Sequence, residues 1–237
     1  MQPPIRYLPR YFDDERGRRD FLDGLFDRTA RDYDFVERVL AFGSGSRYRR
    51  DALRRAGLQA GMRVLDVATG TGLVAREALS LGAAVTGLDP SAGMLGEARR
   101  VSFPLVRGLG ERLPFRDECF DFVSMGFALR HVVDIDALFT ETRRVLVPGG
   151  TACVLEITRP ANRLVAAALR IFMTRAVPAV ARVARRDGAS LMRFYWDTID
   201  ACVPPAAVLA SLSRAGFPAP DRKLTFGMFS EYIARKG

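Results

Sequence analysis

From Gly61 onward the chain alternates short β-rich runs with stretches of helical spacing, and that alternation leaves few folds open. The runs read "MRVLDVA", a helical stretch over 71–81, "AAVTGLD", a second over 91–100, then "SFPLV". After the loop "RGLGERLPFRDE" come "CFDFVSMGF", a helical segment near 133–146, the turn "VPGG" and the strand "TACVLEI". Strand–helix units in this order specify a mainly parallel sheet with helices on both faces. The predicted fold class is α/β and Rossmann-like, with residues 61–237 as its core. A helix near 204–215 with Gly216 as C-cap precedes two runs, "KLTFGM" and "SEYIA", which predict an antiparallel hairpin closing the sheet edge.

Two helical regions flank this pattern. Residues 1–60 carry apolar positions at helical spacing, among them Phe21, Leu22, Leu25, Tyr33, Val36 and Val39, and predict an N-terminal helical cap. Residues 163–186 place Val165, Leu169, Phe172, Met173, Val180 and Val183 on one helical side, with Arg163, Arg170, Arg175, Arg182 and Arg185 largely opposite. Uninterrupted by charge only over short runs, and carrying Pro178 where a kink or break is expected, this stretch reads as a lid, at about 161–200, or an interface. A peripheral membrane contact or a homodimer would use such a surface.

The net charge of +9 raises nucleic acid as a partner, but the only lysines are Lys223 and Lys236, and the arginines are interleaved with acids, as in "DDERGRRD". No nucleic acid is expected. The N-terminal stretch lacks the uncharged apolar core of a signal peptide, and Cys119, Cys153 and Cys202 are odd in number and widely spaced. A cytoplasmic protein with reduced thiols and no metal site is expected.

The stretch "VLDVATGTGLVA" carries the chemistry. Gly70-Thr71-Gly72-Leu73-Val74-Ala75 satisfies G-x-G-x-x-G/A, and Asp89 follows at the distance where a carboxylate accepts from both ribose hydroxyls. A dinucleotide and a sulfonium nucleoside both fit that pattern. Asp66 separates them: it opposes a pyrophosphate and welcomes an ammonium and a sulfonium. Capping roles remain open for both acids, Asp66 on the following turn and Asp89 on the helix starting at Ser91.

"VLDVATGTGLVA", "VTGLDPSAGML", "GERLPFRDECFDFVSMGFALRHVVDID" and "RVLVPGGTACVLEITRP" together resemble the successive motifs of class I S-adenosylmethionine-dependent methyltransferases. Within them the chain is most similar to the ubiquinone/menaquinone-biosynthesis C-methyltransferases, the UbiE family, and "LFDRTARDYDFVERVLAFGSGSRYRRDAL" extends the likeness upstream. The resemblance implies a seven-stranded sheet and S-adenosylmethionine as cofactor, leaving as S-adenosylhomocysteine. It implies that Ala68, Gly70 and Gly72 form the cofactor loop beside Asp66, and that Asp89 holds the ribose with Pro90 next to it. Met94 would flank the adenine, with Gly110, Glu111 and Phe127 beside the cofactor. Leu73 and Leu109 depart from the family, which commonly has acidic or amide side chains there, so weaker adenine recognition is expected unless Glu111 substitutes.

Methyl transfer needs an electron-rich acceptor held in line with the sulfonium methyl and shielded from water. In "FALRHVVD", Arg130 can stabilise a phenolate and His131, ordinarily titrating near ~6.5, can act as a base. Arg130 matches the family, whereas His131 stands where it usually has Asn. Plainer readings pair Arg130 with Asp134 and make His131 a turn residue. Tyr33 can close over the cofactor, and Phe172, Tyr195 and Trp196 can line a hydrophobic pocket, although ordinary helix packing explains all four equally. The expected substrate is a small hydrophobic aromatic, a quinol-like ring methylated on carbon. Another small-molecule phenol and a non-catalytic S-adenosylmethionine-binding role are the alternatives.

Overall fold

The computed structural model describes residues 11–41, 43–183 and 189–237. Among these residues seven strands are formed, β1 Arg63–Val67, β2 Ala84–Asp89, β3 Leu105–Arg107, β4 Phe120–Gly126, β5 Leu146–Ile157, β6 Asp221–Thr225 and β7 Phe229–Arg235. They make one sheet in the order β3-β2-β1-β4-β5-β7-β6. Strands β1 to β5 are parallel, β7 is antiparallel to β5, and β6 pairs antiparallel with β7. The chain order reverses between β1 and β4, and in open parallel sheets a crevice forms beyond the strand ends at that point.

The helices are α1 Glu15–Leu40, α2 Gly45–Arg55, α3 Leu73–Ser80, α4 Ala92–Ala98, α5 Ile135–Val145, α6 Arg163–Ile171, α7 Val177–Val183, α8 Ala189–Asp200 and α9 Pro205–Arg214. Alternation along the strands sorts the core onto two faces. Leu65, Val67 and Met125 pack with Leu138 and Phe139 of α5 and Leu212 of α9. Val64, Phe122 and Leu155 point the other way, to Leu53 of α2 and Val74 and Ala78 of α3. A third cluster joins Leu22, Leu25 and Val36 of α1 to Met173, Val177, Leu191, Phe194 and Trp196 of the segment after β5. The two flanking helical regions therefore pack on each other, above the crevice.

Three expectations are corrected. The "VPGG" turn is taken into β5, which starts at Leu146; Gly149 at φ +76° and a register shift opposite Phe120 and Phe122 absorb the irregularity. Pro178 does not break its helix: it falls in the first turn of α7, after a π-helical turn over Phe172–Ala176 that joins α6 to α7. That turn also shifts the helical phase, so that Met173, Val177 and Ala181 face inward, whereas Val180 and Val183, expected inside, are exposed; Val165, before the turn in α6 and also expected inside, is exposed as well. Arg185, assigned to the outer side, lies outside the described residues, as do residues 1–10 of the cap.

Candidate active site

The turn from β1 to α3 runs at positive φ at Ala68 (+52°), Gly70 (+56°) and Gly72 (+87°). Glycine relieves the strain at two of the three positions. The Gly70 N–H donates to Asp89 Oδ2 (2.8 Å) and the Ser91 N–H to Oδ1 (2.9 Å), which fixes the carboxylate at the end of β2. Ser91, not Asp89, caps α4, its hydroxyl accepting from the Met94 N–H. Burial raises the Asp89 pKa to about 6 against the two backbone donors, with Asp66 and Asp23 adding to the rise.

Ala68, Gly70, Asp89, Pro90, Met94, Gly110, Glu111 and Phe127 line one cavity of about 390 Å³ at the switch point. Two residues assigned to the cofactor stand elsewhere. Asp66, fully buried, accepts from Thr69 Oγ1 and Ser124 Oγ, both at 2.7 Å, and braces the turn from behind, while Val67, one residue on and so of opposite facing, lines the cavity. Burial pushes the Asp66 pKa up to about 6 despite those bonds. Gly72 opens α3 with its backbone packed near the Phe103 ring, and it shapes the turn without lining the cavity.

Helix α1 covers this cavity with a stripe of carboxylates at helical spacing. Asp27 accepts from Ser91 Oγ (2.6 Å) and the Gly93 N–H (2.8 Å). Asp34 accepts from Thr71 Oγ1 and Arg76, tying α1 to the glycine turn. Asp23, with Leu22 and Phe26, lines the cavity itself. The spacing Asp23, Asp27, Asp34 in "DGLFDRTARDYD" puts the three acids on one face, which is the signal that marks this covering element. At the opposite wall the backbone is held close by Gly110, where a Cβ would come within 2.8 Å of Leu138 and 3.0 Å of Val67. Three carboxylates, Asp89, Asp23 and Glu111, against one cation, Arg107, in a cavity walled partly by glycine backbone suit a ligand with hydroxyl donors and positive charge, and disfavour a pyrophosphate. S-adenosylmethionine fits those residues.

A second cavity, of about 290 Å³ and mostly apolar, shares Tyr33, Phe127 and Tyr195 with the first. Phe172 lines it, with Leu169, Met173 and Met192 of the overlying helices and Phe226 and Phe229 of the terminal hairpin. Arg130 enters this cavity fully buried. Its Nη1 donates to the Phe127 carbonyl (2.6 Å) and to Glu156 Oε1 (2.5 Å), and the Arg130 N–H donates to Glu156 Oε2 (3.1 Å). Burial alone pulls the guanidinium pKa down, but Glu156, with Tyr195, Tyr33 and Cys202 adding to it, more than offsets that and holds the group charged above its usual value. Nε and Nη2 have no partner among the described residues, and the guanidinium carbon lies 4.7 Å over the Tyr195 ring. Asp134 instead caps α5, accepting from the N–H groups of Asp136 and Ala137. Arg49, also buried, pairs with Glu37 Oε1 (2.7 Å), sits 5.3 Å over the Phe127 ring and lines the same cavity. A lone glutamate ending an apolar strand, Glu156, was the available sequence signal for the partner of Arg130.

The remaining assignments divide. Tyr33 and Tyr195 meet edge to face, with ring centroids 6.4 Å apart, at the boundary of the two cavities. Trp196 is buried in the helical cluster and lines neither cavity. Phe127 offers the cofactor little free backbone, because its N–H donates to Leu155 O (2.7 Å) and its carbonyl is held by Arg130. Glu111 Oε1 accepts from the Val133 N–H (3.0 Å) at the cavity wall, and Leu109 is half-exposed beside it. His131 lines the first cavity, stacked on Phe194, with both ring nitrogens unpartnered among the described residues. Burial, then the cations of Arg130 and Arg18, lower its pKa well below 6.5, so a base titrating near neutrality is not available at this position.

Comparison with known proteins agrees with this geometry. The model of the ubiE/COQ5 methyltransferase family matches residues 13–236. A demethylmenaquinone methyltransferase of Mycolicibacterium paratuberculosis is 38% identical over 216 residues, covering 90% of this chain and 92% of the relative. One of Mycobacterium bovis is 36% identical over 215 residues, covering 90% and 91%. Among solved structures, a possible histamine N-methyltransferase of Thermotoga maritima superposes with a TM-score of 0.65 at 20% identity, over 90% of this chain and 99% of the other. Phosphoethanolamine N-methyltransferase 2 of Haemonchus contortus, in complex with S-adenosyl-L-methionine, gives 0.66 at 18% identity, over 92% and 60%. At those identities the structural likeness speaks for the fold alone.

Proposed function

The chain belongs to the ubiE/COQ5 methyltransferase family and is an S-adenosylmethionine-dependent methyltransferase, and on that premise we propose that its acceptor is a demethylmenaquinol-type ring, methylated on carbon. The observation that carries the acceptor reading is the half-used guanidinium of Arg130. Two buried donors with no partner among the described residues, in a cavity that is mostly apolar apart from Arg49, Glu37 and Tyr48, call for an oxygen-bearing aromatic ligand.

S-adenosylmethionine supplies an electrophilic methyl group on a sulfonium. Asp89, fixed by two backbone donors, would hold the ribose hydroxyls, and Asp23 adds negative charge on the α1 side. Tyr33, Phe127 and Tyr195 form the partition where donor and acceptor meet. Arg130 would hold a ring oxygen through Nε and Nη2. A charge-assisted hydrogen bond there stabilises the phenolate and raises electron density at the ring carbon beside it. Glu156 keeps the guanidinium charged and orients it from behind. The helices over the cavity exclude water, which strengthens that interaction.

An acceptor with a prenyl tail resides in a bilayer, and the same reading makes the enzyme a peripheral protein of the inner membrane face. The test is transfer of radiolabelled methyl from S-adenosylmethionine to reduced demethylmenaquinone in detergent. Label is expected in the organic extract with wild type and lost with Arg130→Lys, which keeps the charge but not the fork. Absence of label, in protein that still binds S-adenosylhomocysteine, would remove the quinol from consideration.

A further inference from the structure

We propose that the outer face of Arg163–Val183, together with the turn between β6 and β7, docks on an anionic lipid bilayer and sets the mouth of the acceptor cavity against the lipid. The proposal rests on the reading above that the acceptor carries an apolar tail.

Three observations meet on this face. The continuous helix Arg163–Val183, 21 residues long, is apolar and long enough to cross a membrane by length and composition, yet only 28% of its most apolar stretch is buried. Leu164 (81% exposed), Ile171 (56%) and Val183 (87%) stand in solvent, where a core helix would have turned them inward. The charge is one-sided: from Arg163 to Val183 the helix carries four exposed arginines and no acidic residue, in a protein whose whole net charge is +9. The same elements also form the acceptor cavity. Leu169 and Phe172 reach it from this helix, and Phe226 reaches it from the hairpin turn while remaining 85% exposed, with Leu224 exposed beside it.

An in-plane position follows from the distribution of charge and burial. Arg163, Arg170, Arg175 and Arg182 are exposed along the full length of the helix, so that a spanning orientation would carry cations through the hydrocarbon. Met173, Val177 and Ala181 are buried inside the protein, which holds one side of the helix down. An apolar strip edged by arginines, fixed to a protein on its other side, matches an interfacial helix on anionic headgroups. A tail that leaves the cavity between Phe172 and Phe226 would then pass directly into lipid.

The test is sedimentation of the full chain with vesicles of phosphatidylcholine alone and with added phosphatidylglycerol. Binding to the anionic vesicles is expected, weakening as salt rises. The triple variant Leu164→Ser, Ile171→Ser, Val183→Ser should lose at least about tenfold in partition. Arg170→Gln with Arg175→Gln should lose the preference for the anionic lipid. All these positions are exposed, and near-UV circular dichroism together with S-adenosylhomocysteine affinity should match wild type. No sedimentation with anionic vesicles, or variants that bind them as wild type does, overturns the proposal. So does a triple variant that only splits a dimer in analytical ultracentrifugation while its vesicle binding is unchanged. Vesicle binding that is lost in the variants, in an enzyme inactive on every quinol, supports the docking surface and refutes the acceptor.

Discussion

Arg130 Nη1 lies 2.5 Å from Glu156 Oε1, and the two side chains are 0% and 1% exposed. Burying such a pair is rarely worth its desolvation for stability alone, since a well-packed apolar pair of similar volume often does as well. Here the pair leaves Nε and Nη2 of the guanidinium in a cavity without a partner among the described residues. The carboxylate keeps a cation stable in a place where an acceptor's oxygen can use it.

Stability and activity should therefore separate at this pair. Arg130→Met alone strands a buried carboxylate and is expected to cost ~3–5 kcal/mol in urea unfolding. Adding Glu156→Gln should return most of that loss, because the unpaired charge is gone. Methyl transfer should stay at least ~10²-fold down in the double variant, the scale seen when a transition-state oxyanion donor is removed. A double variant that recovers both stability and turnover would reduce Arg130 to a structural residue.

Asp89 predicts the pH dependence of cofactor binding. Its pKa in the free protein is raised to about 6 by burial, so the carboxylate is ionised above that pH and protonated below it. Ribose hydroxyls donate to the ionised form. S-adenosylhomocysteine affinity should be level above pH 7 and fall as pH drops through about 6, approaching tenfold per unit if this group dominates. Calorimetric titrations from pH 5 to 8 measure it. Asp89→Asn should weaken binding by ~1.5–3 kcal/mol and flatten the profile, and a profile that stays steep in the variant would shift the assignment to Asp66, which titrates in the same range.

The sheet and the cofactor turn were legible because periodicity and glycine placement act locally: each strand, the left-handed turn at Gly70 and the position of Asp89 follow from residues within twenty of one another. The errors share a different origin. Asp66 and Val67 face opposite ways, and which of them meets the cavity depends on which helices cover each face of the sheet. Val180 and Val183 fell on the wrong side because a π turn five residues long shifts the helical phase, and no residue type announces it. Arg130, singled out from the sequence, does line a cavity, but its partner was not foreseen, because β4 and β5 are brought together only by the sheet order. Trp196 looked like a pocket residue from its chemistry and is a core residue from its packing.

His131 is the only histidine in the chain, so its titration can be followed without assignment. Burial and the cations of Arg130 and Arg18 depress its pKa well below 6.5, and the neutral ring is the form the fold accepts. Its contribution to stability is then present above the unfolded-state value near ~6.5 and is lost as pH falls below it. In untagged protein the ring Hε1 resonance should stay at its neutral position as pH falls from 8 through the ordinary value near ~6.5. The pH–rate profile should also lack an inflection removed by His131→Asn. A ring that titrates near 6.5 would restore it as a candidate base.

The last prediction concerns how α1 closes over the cofactor. Asp34 bonds Thr71 in the glycine turn, and Asp27 bonds Ser91 Oγ and the Gly93 N–H at the start of α4, so the helix is pinned at both ends of the cavity. Thr71 and Ser91 are buried, and their bonds escape the solvent screening that weakens the half-exposed Arg76–Asp34 pair. Asp27→Ala and Asp34→Ala should each speed S-adenosylhomocysteine dissociation about threefold to tenfold, as the loss of ~1 kcal/mol of closure implies, and the double variant more. Stopped-flow displacement measures the rate directly. Because neither carboxylate lines the cavity, association should change little, and a variant slowed in association instead would mean that α1 shapes the site rather than closing it.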